Sequence, residues 1–431
     1  MLEFIGKPGE DALFESVPAA IRHQPELPEG LSEVELTKYF GELARQNQDL
    51  TRVDSFLGGG AYRRFIPAAV TQVISRPEYY SAYTPYQAEA SQGWLQTIFE
   101  FQSMIAELTG LDVANASMYE GASALAEAAV MAVLQTGRNK VVVAGPVHPE
   151  YVAVLRTYAA GRGFIVHHEA GRAGLAQVDA VEAAGLDDCA AVIFQNPNFL
   201  GGLEDCAALC QLAHRHGALA IAAADPLALA VLRSPGEYGA DIAVGECQQL
   251  GIPLWYGGPY CGYLATTEEL LRKVPGRLVG ETSDAAGNRG FVLTLQAREQ
   301  HIRRESATSN ICTNQQLIAL GATAYMALMG PEGLRQVAEV SAQRAHWLAQ
   351  QLSSLDGFEL AFPGAFLWEF VLRCGRPVPE VLDRLWQHGI LGGIDLGALP
   401  LDGAAMPDCM LVAVTEMNSP RSLQRYLDAL S

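Results

Sequence analysis

The chain has 431 residues, 49% of them apolar, enough for two packed domains, but no apolar run approaches the ~20 residues that span a bilayer. A net charge of −19 opposes binding to nucleic acid or an anionic membrane, and eight cysteines, scattered without small-domain disulfide spacing, fit a reduced, cytoplasmic setting. The opening MLEFIGKPGEDALFE has no basic segment followed by an apolar core, so no secretory signal is expected.

Residues 1–50 read as an N-terminal arm. Within it Ser32 and Glu35 match a capping box ahead of a helix through Val34, Tyr39, Phe40 and Leu43. From Ser55 the text becomes SFLGGGAYRRF, where three glycines free the backbone for close approach or simply form a loop. Tyr79 to Ser91 then carries four tyrosines with Thr84, Gln87, Glu89 and Ser91, a density of hydroxyls and amides that is costly to bury without partners. Gly93–Thr109 reads as a helix with Leu95, Ile98, Ile105 and Leu108 on one side and Gly110 as its stop. In NASMYEGASALAEAAVMAVL, Gly121, Ala122 and Ser123 at a helix N-terminus would suit an anion, while close helix-on-sheet packing selects the same small residues.

From Val141 to Glu246 apolar strands alternate with helices, the pattern of a parallel sheet covered on both faces. Cys206, Cys210 and His214 would share a helix face, as buried core thiols rather than a metal site. The informative stretch is Ala218–Gly258. One apolar run ends in Asp225, and the next, Ala240–Gly245, leads into Glu246, Cys247, Gln248 and Gln249. Ligands of open α/β sheets sit beyond such strand ends. An acid there, followed two dozen residues on by a second polar group, is the layout of large pyridoxal phosphate (PLP) enzymes, whose Asp keeps the pyridine nitrogen protonated and whose Lys forms an imine. Asp225 is present, but Gln248 and Gln249 stand where the Lys should be, and an amide cannot form an imine. The four lysines, Lys7, Lys38, Lys140 and Lys273, all lie elsewhere.

YGGPYCGYLAT reads as a turn into an antiparallel strand. Farther on, His301, Arg303 and Arg304 could clamp an anion or could pair with Glu299 and Glu305, and Ser309 and Asn310 could cap a helix beginning at Thr313. A long helix from Pro331 to Leu352 leads to a compact unit with strands FELAF, LWEFVLRC and CMLVAVTE and two helices. Three parts result: the arm (1–50), a large domain (51–330), and a linking helix with a small C-terminal α+β domain (331–431).

SFLGGGAY, YTPYQAEASQG, ELTGLDVANASMYEGA, GADIAVGECQQLGIPLWYGGP and LQAREQHIRRESATSNICT, spread over almost the whole chain, resemble subunit 1, the alpha subunit, of the two-subunit glycine dehydrogenase (decarboxylating), the P-protein of the glycine cleavage system. The resemblance implies an α/β, PLP-dependent transferase-like fold (fold type I), with a mixed, mostly parallel sheet and a smaller C-terminal α+β domain. It implies an α2β2 enzyme in which a homologous beta subunit supplies the imine-forming Lys and holds PLP, the position here being Gln249. The enzyme would decarboxylate glycine and pass the aminomethyl group to the lipoyl arm of H-protein. This chain would then carry no catalytic residue of its own. By similarity Tyr83, Thr84, Tyr86, Gln87 and Ser91, with Ser309 and Asn310, would complete the beta subunit's pocket, and Asp225, Gln248 and Gln249 would form a vestigial one. The competing expectation is a structural subunit that stabilises beta and docks H-protein without touching substrate. No metal is expected.

Overall fold

The computed structural model describes every residue except Gln24, Cys312 and Ala404, and internal contacts divide it into Met1–Arg52 and Val53–Ser431. In the first unit the helix Glu33–Ala44 begins with the expected capping box: the Glu35 amide donates to the Ser32 hydroxyl, and the Ser32 amide donates to the Glu35 carboxylate. None of this helix is buried, and Val34, Tyr39 and Phe40 stand exposed.

The second unit is built on a seven-stranded sheet in the order Val113–Ala114, Gly262–Thr266, Ile242–Glu246, Leu219–Ala224, Cys189–Asn196, Lys140–Ala144, Ile165–Glu169. The last five strands are mutually parallel, while Gly262–Thr266 runs antiparallel to both its neighbours, as the turn before it suggested. The central strands read as unbroken apolar runs because helices cover both faces. Gly121–Thr136 packs on one face with every residue from Gly121 to Ala132 buried, which its small side chains permit. On the other face Cys206–Arg215 buries Cys206, Leu209, Cys210 and Leu212, while His214 bonds the Asp241 carboxylate at 2.8 Å.

The helix Gln92–Thr109 stops at Gly110, whose left-handed φ of 64° ends it as expected. Leu278–Ser283 and Arg289–Thr294 form an antiparallel hairpin that the polar sequence did not disclose. The long helix starts at Gln316, not Thr313, and Gln315 is its N-cap, so neither Ser309 nor Asn310 caps it. By length and composition Gln316–Leu352 could cross a membrane. It is instead two core helices joined at Gly330 (φ 59°, ψ 178°), where Pro331 cannot continue the hydrogen-bond ladder, and it buries Ile318, Ala322, Tyr325 and Leu348.

The C-terminal strands form an antiparallel sheet in the order Phe358–Leu360, Glu369–Cys374, Cys409–Ala413, Ile394–Asp395, backed by the helices Val378–Gln387 and Pro420–Leu430. Asp54–Ser55 pairs in parallel with Ile390–Leu391, and Asn418 Nδ2 holds the Ser55 carbonyl at 2.9 Å. These ties lead the glycine segment 58–60 and residues 62–64 between the two sheets.

Candidate functional site

Asp225 follows the C-terminal end of Leu219–Ala224, and Glu246 ends the neighbouring strand Ile242–Glu246. They border a cavity of about 60 Å³ also lined by Tyr62, His148, Tyr151, Gln249, Trp368 and Glu369. Asp225 Oδ1 accepts from the backbone of Leu227 at 2.9 Å, and its other oxygen accepts from Gln249 Nε2. Gln249 Oε1 in turn accepts from Arg64 Nε at 2.9 Å. An amide both donates and accepts, so Gln249 joins carboxylate to guanidinium, a double role that an ammonium group with no acceptor could not fill.

Arg64, only 5% exposed, pairs with Glu416 at 2.8 Å, donates to Ser341 Oγ at 2.7 Å and lies 4.8 Å from the centre of the Trp368 ring. Gln248 is fixed just as firmly. Its oxygen accepts from the Tyr62 amide at 2.8 Å, and its nitrogen donates to the carbonyls of Tyr62 and Ile252. Tyr62 Oη donates to Glu369 at 2.6 Å, and the Gly59 amide donates to the other Glu369 oxygen at 2.7 Å. Burial pushes the Glu369 carboxyl up to about 7, against those two bonds that favour its ionised form. Asp225 is raised by burial as well, with the Arg64 charge and the Gln249 bond pulling it back.

The start of the Gly121–Thr136 helix, whose small residues suited either an anion or close packing, opens onto the same place. Gly121 N–H donates to Glu246 at 3.1 Å, while Gln248 and Cys261 donate their backbone N–H groups to the other Glu246 oxygen, each at 3.1 Å. The Ser123 amide is capped by Glu120 at 2.8 Å. A Cβ on Gly121 would stand 1.9 Å from Tyr151 Oη, so any side chain there must push the Tyr151 ring aside. The Tyr151 ring stacks on His148, and His148 Nε2 lies 2.9 Å from the Gly59 carbonyl oxygen.

These residues do not fit PLP. The position for the imine is an amide tied on both sides, no lysine among the described residues lines the cavity, and the N–H groups that would receive a phosphate hold the Glu246 carboxyl group.

The structure brings Asp225, Gln248 and Gln249 together, while the other predicted residues lie apart from this cavity. Tyr83 and Tyr86 are about three-quarters exposed with ring centres 6.2 Å apart, Gln87 is exposed, and Ser91 is half-buried before the helix Gln92–Thr109. Thr84 is buried and accepts a hydrogen bond from Arg277. Ser309 is buried and accepts from the Ile311 amide at 3.1 Å. Exposed Asn310 borders a separate cavity with Tyr119, Glu127, Tyr158 and Arg162, where burial pushes Glu127 up to about 7. Of the candidate clamp residues, His301 faces Glu299 at 3.7 Å, and Arg303 Nε donates to the Ala297 carbonyl. Sequence reasoning missed Arg64 and Glu369. The available signal was the pair Arg63–Arg64, shortly after three glycines in the otherwise uncharged run Ser55–Ser75.

The family model for the glycine cleavage system P-protein matches residues 1–430. Probable glycine dehydrogenase (decarboxylating) subunit 1 of Geobacillus kaustophilus is 49% identical, with 100% of this chain and 96% of that protein covered. Its counterpart in Chloroherpeton thalassium is 48% identical at the same coverage. Among solved structures, glycine decarboxylase (P-protein) of the glycine cleavage system in inhibitor-bound form superposes with a TM-score of 0.93 at 44% identity, covering 100% of this chain and 96% of that one. The C-DES enzyme with glycine covalently linked to its PLP cofactor shares the fold alone (TM-score 0.64, 15% identity, 88% and 97% covered). With a PLP-enzyme fold, an Asp at the expected strand end and relatives matched along nearly their whole length, the chain belongs to the glycine cleavage system P-protein family, as a glycine dehydrogenase (decarboxylating) subunit 1.

Proposed function

We propose that this chain is the alpha subunit of a two-part glycine decarboxylase in the cytoplasm, and that a lysine-bearing beta subunit holds PLP covalently in an α2β2 assembly. The enzyme removes CO2 from glycine and passes the aminomethyl group to the lipoyl arm of H-protein. When bound by beta, the cofactor supplies an electron sink for the decarboxylation. The observation that carries the reading is the Asp225–Gln249–Arg64 bridge, which keeps the setting of a PLP site while removing its amine. We further assign the large domain to 51–330 and the linking helix with the small domain to 331–431. The exposed apolar face of Glu33–Ala44 supports a role for the arm in assembly.

Within the assembly, Tyr83, Thr84, Tyr86, Gln87, Ser91, Ser309 and Asn310 complete the beta subunit's pocket. Their part is orientation: loss of CO2 needs the breaking bond perpendicular to the cofactor ring, and hydroxyl or amide anchors on the glycine carboxylate set that angle. The exposure of the Tyr83 and Tyr86 side chains supports this, since both can meet a partner without unfolding anything.

Co-expression with beta, sizing and a glycine–bicarbonate exchange assay test the whole. Exchange requires both chains, and Tyr86→Phe or Gln87→Ala lowers turnover in a correctly sized complex by about 10-fold or more, the loss of one anchoring hydrogen bond. Unchanged kinetics would favour a structural subunit that only stabilises beta and docks H-protein. Exchange by this chain alone would refute the proposal.

A further inference from the structure

The absence of a lysine explains why this chain cannot hold PLP covalently, but not why the rest of the pocket would reject it. Three backbone N–H groups, from Gly121, Gln248 and Cys261, converge beside the start of the Gly121–Thr136 helix, and all three are already spent on Glu246. Convergent N–H groups at a helix start attract anions. A carboxyl group built into the chain satisfies them without the entropy cost of binding a ligand. A phosphate arriving there would have to displace the Glu246 side chain from all three donors, on a helix start that Glu120 already caps.

We propose that Glu246 is an internal occupant of the phosphate cradle, and that together with the Gln249 bridge it keeps this chain's cofactor pocket shut. The pocket is thus closed at two independent points, the imine end and the phosphate end. Restoring the lysine by Gln249→Lys would therefore not restore cofactor binding. This inference rests on the reading that beta, not this chain, carries PLP.

The test uses the co-expressed α and β chains, incubated with PLP and reduced with borohydride. A lysine amine condenses with the PLP aldehyde, losing water, and borohydride supplies the hydride that reduces the resulting C=N bond to a stable amine. Peptide mass mapping then locates the label chain by chain. In the wild-type complex the label is on beta alone. Gln249→Lys leaves the substituted position unlabelled, whereas Glu246→Ser with Gln249→Lys labels it at least 10-fold more. Glu246→Ala with Gln249→Lys serves as a second variant, equally without a carboxyl group in the cradle, should the serine form fail to assemble. Full labelling of the single variant would overturn the inference, as would an unlabelled position in both double variants when sizing shows intact complexes. A label on the wild-type alpha chain would instead overturn the proposed division of labour between subunits.

Discussion

Arg64 offers the sharpest check on how the pocket is held together. It serves Gln249, Ser341 and Glu416 at once. Arg64→Met keeps the apolar stem against Trp368 but removes every donor, leaving the Gln249 oxygen and the Glu416 carboxylate without their charged partner. Breaking a buried pair by deleting one member costs about 3–5 kcal/mol, because the remaining charge stays desolvated. The Glu416 side chain is only 13% exposed, so water can relieve little of this. At about 1–2 °C per kcal/mol for a chain of this length, the melting temperature of the purified protein falls by roughly 3–10 °C. Adding Glu416→Gln removes the stranded charge and recovers about 1–3 kcal/mol, since residues in direct contact are non-additive. A single substitution costing less than about 1 kcal/mol, or a double variant equal to the sum of its singles, would refute the reasoning.

Other expectations follow from the same packing. Gly201 has φ +85° and its added Cβ would lie 2.0 Å from the Glu369 carbonyl oxygen, so Gly201→Ala destabilises by at least ~3 kcal/mol and is checked by thermal melting. Folding raises Glu369 from the usual carboxyl range to about 7, and Glu246 to about 8, by burial. The folded state therefore binds more protons than the unfolded one between about pH 4.5 and 8, and the stability these groups contribute is present below that window and lost as pH rises through it. Glu369→Gln accordingly flattens the decline in melting temperature between pH 5 and 8, and an unchanged slope would remove Glu369 from the account. Gly121→Ala meets the Tyr151 hydroxyl at 1.9 Å and costs about 1–3 kcal/mol, of which Gly121→Ala with Tyr151→Phe recovers part in the same melt.

By itself the sequence determined the alternation of strand and helix, the stop at Gly110, the helix beginning at Pro331, and the missing amine, because each is a local or countable property of the chain. Asp225 and Gln249 were legible as a pair through the regular length of one strand–turn–strand unit. The tertiary structure alone decided what surrounds them. Arg64 meets Glu416 across 352 residues and Tyr62 meets Glu369 across 307, and no local pattern encodes pairings at such separations. The hairpin Leu278–Thr294 escaped notice because it exposes much of its surface, so its alternation is blurred by polar residues on both faces. Whether Gly121 received an outside anion or a carboxylate of this chain likewise depended on where Glu246 ends its strand, a matter of sheet register rather than of composition.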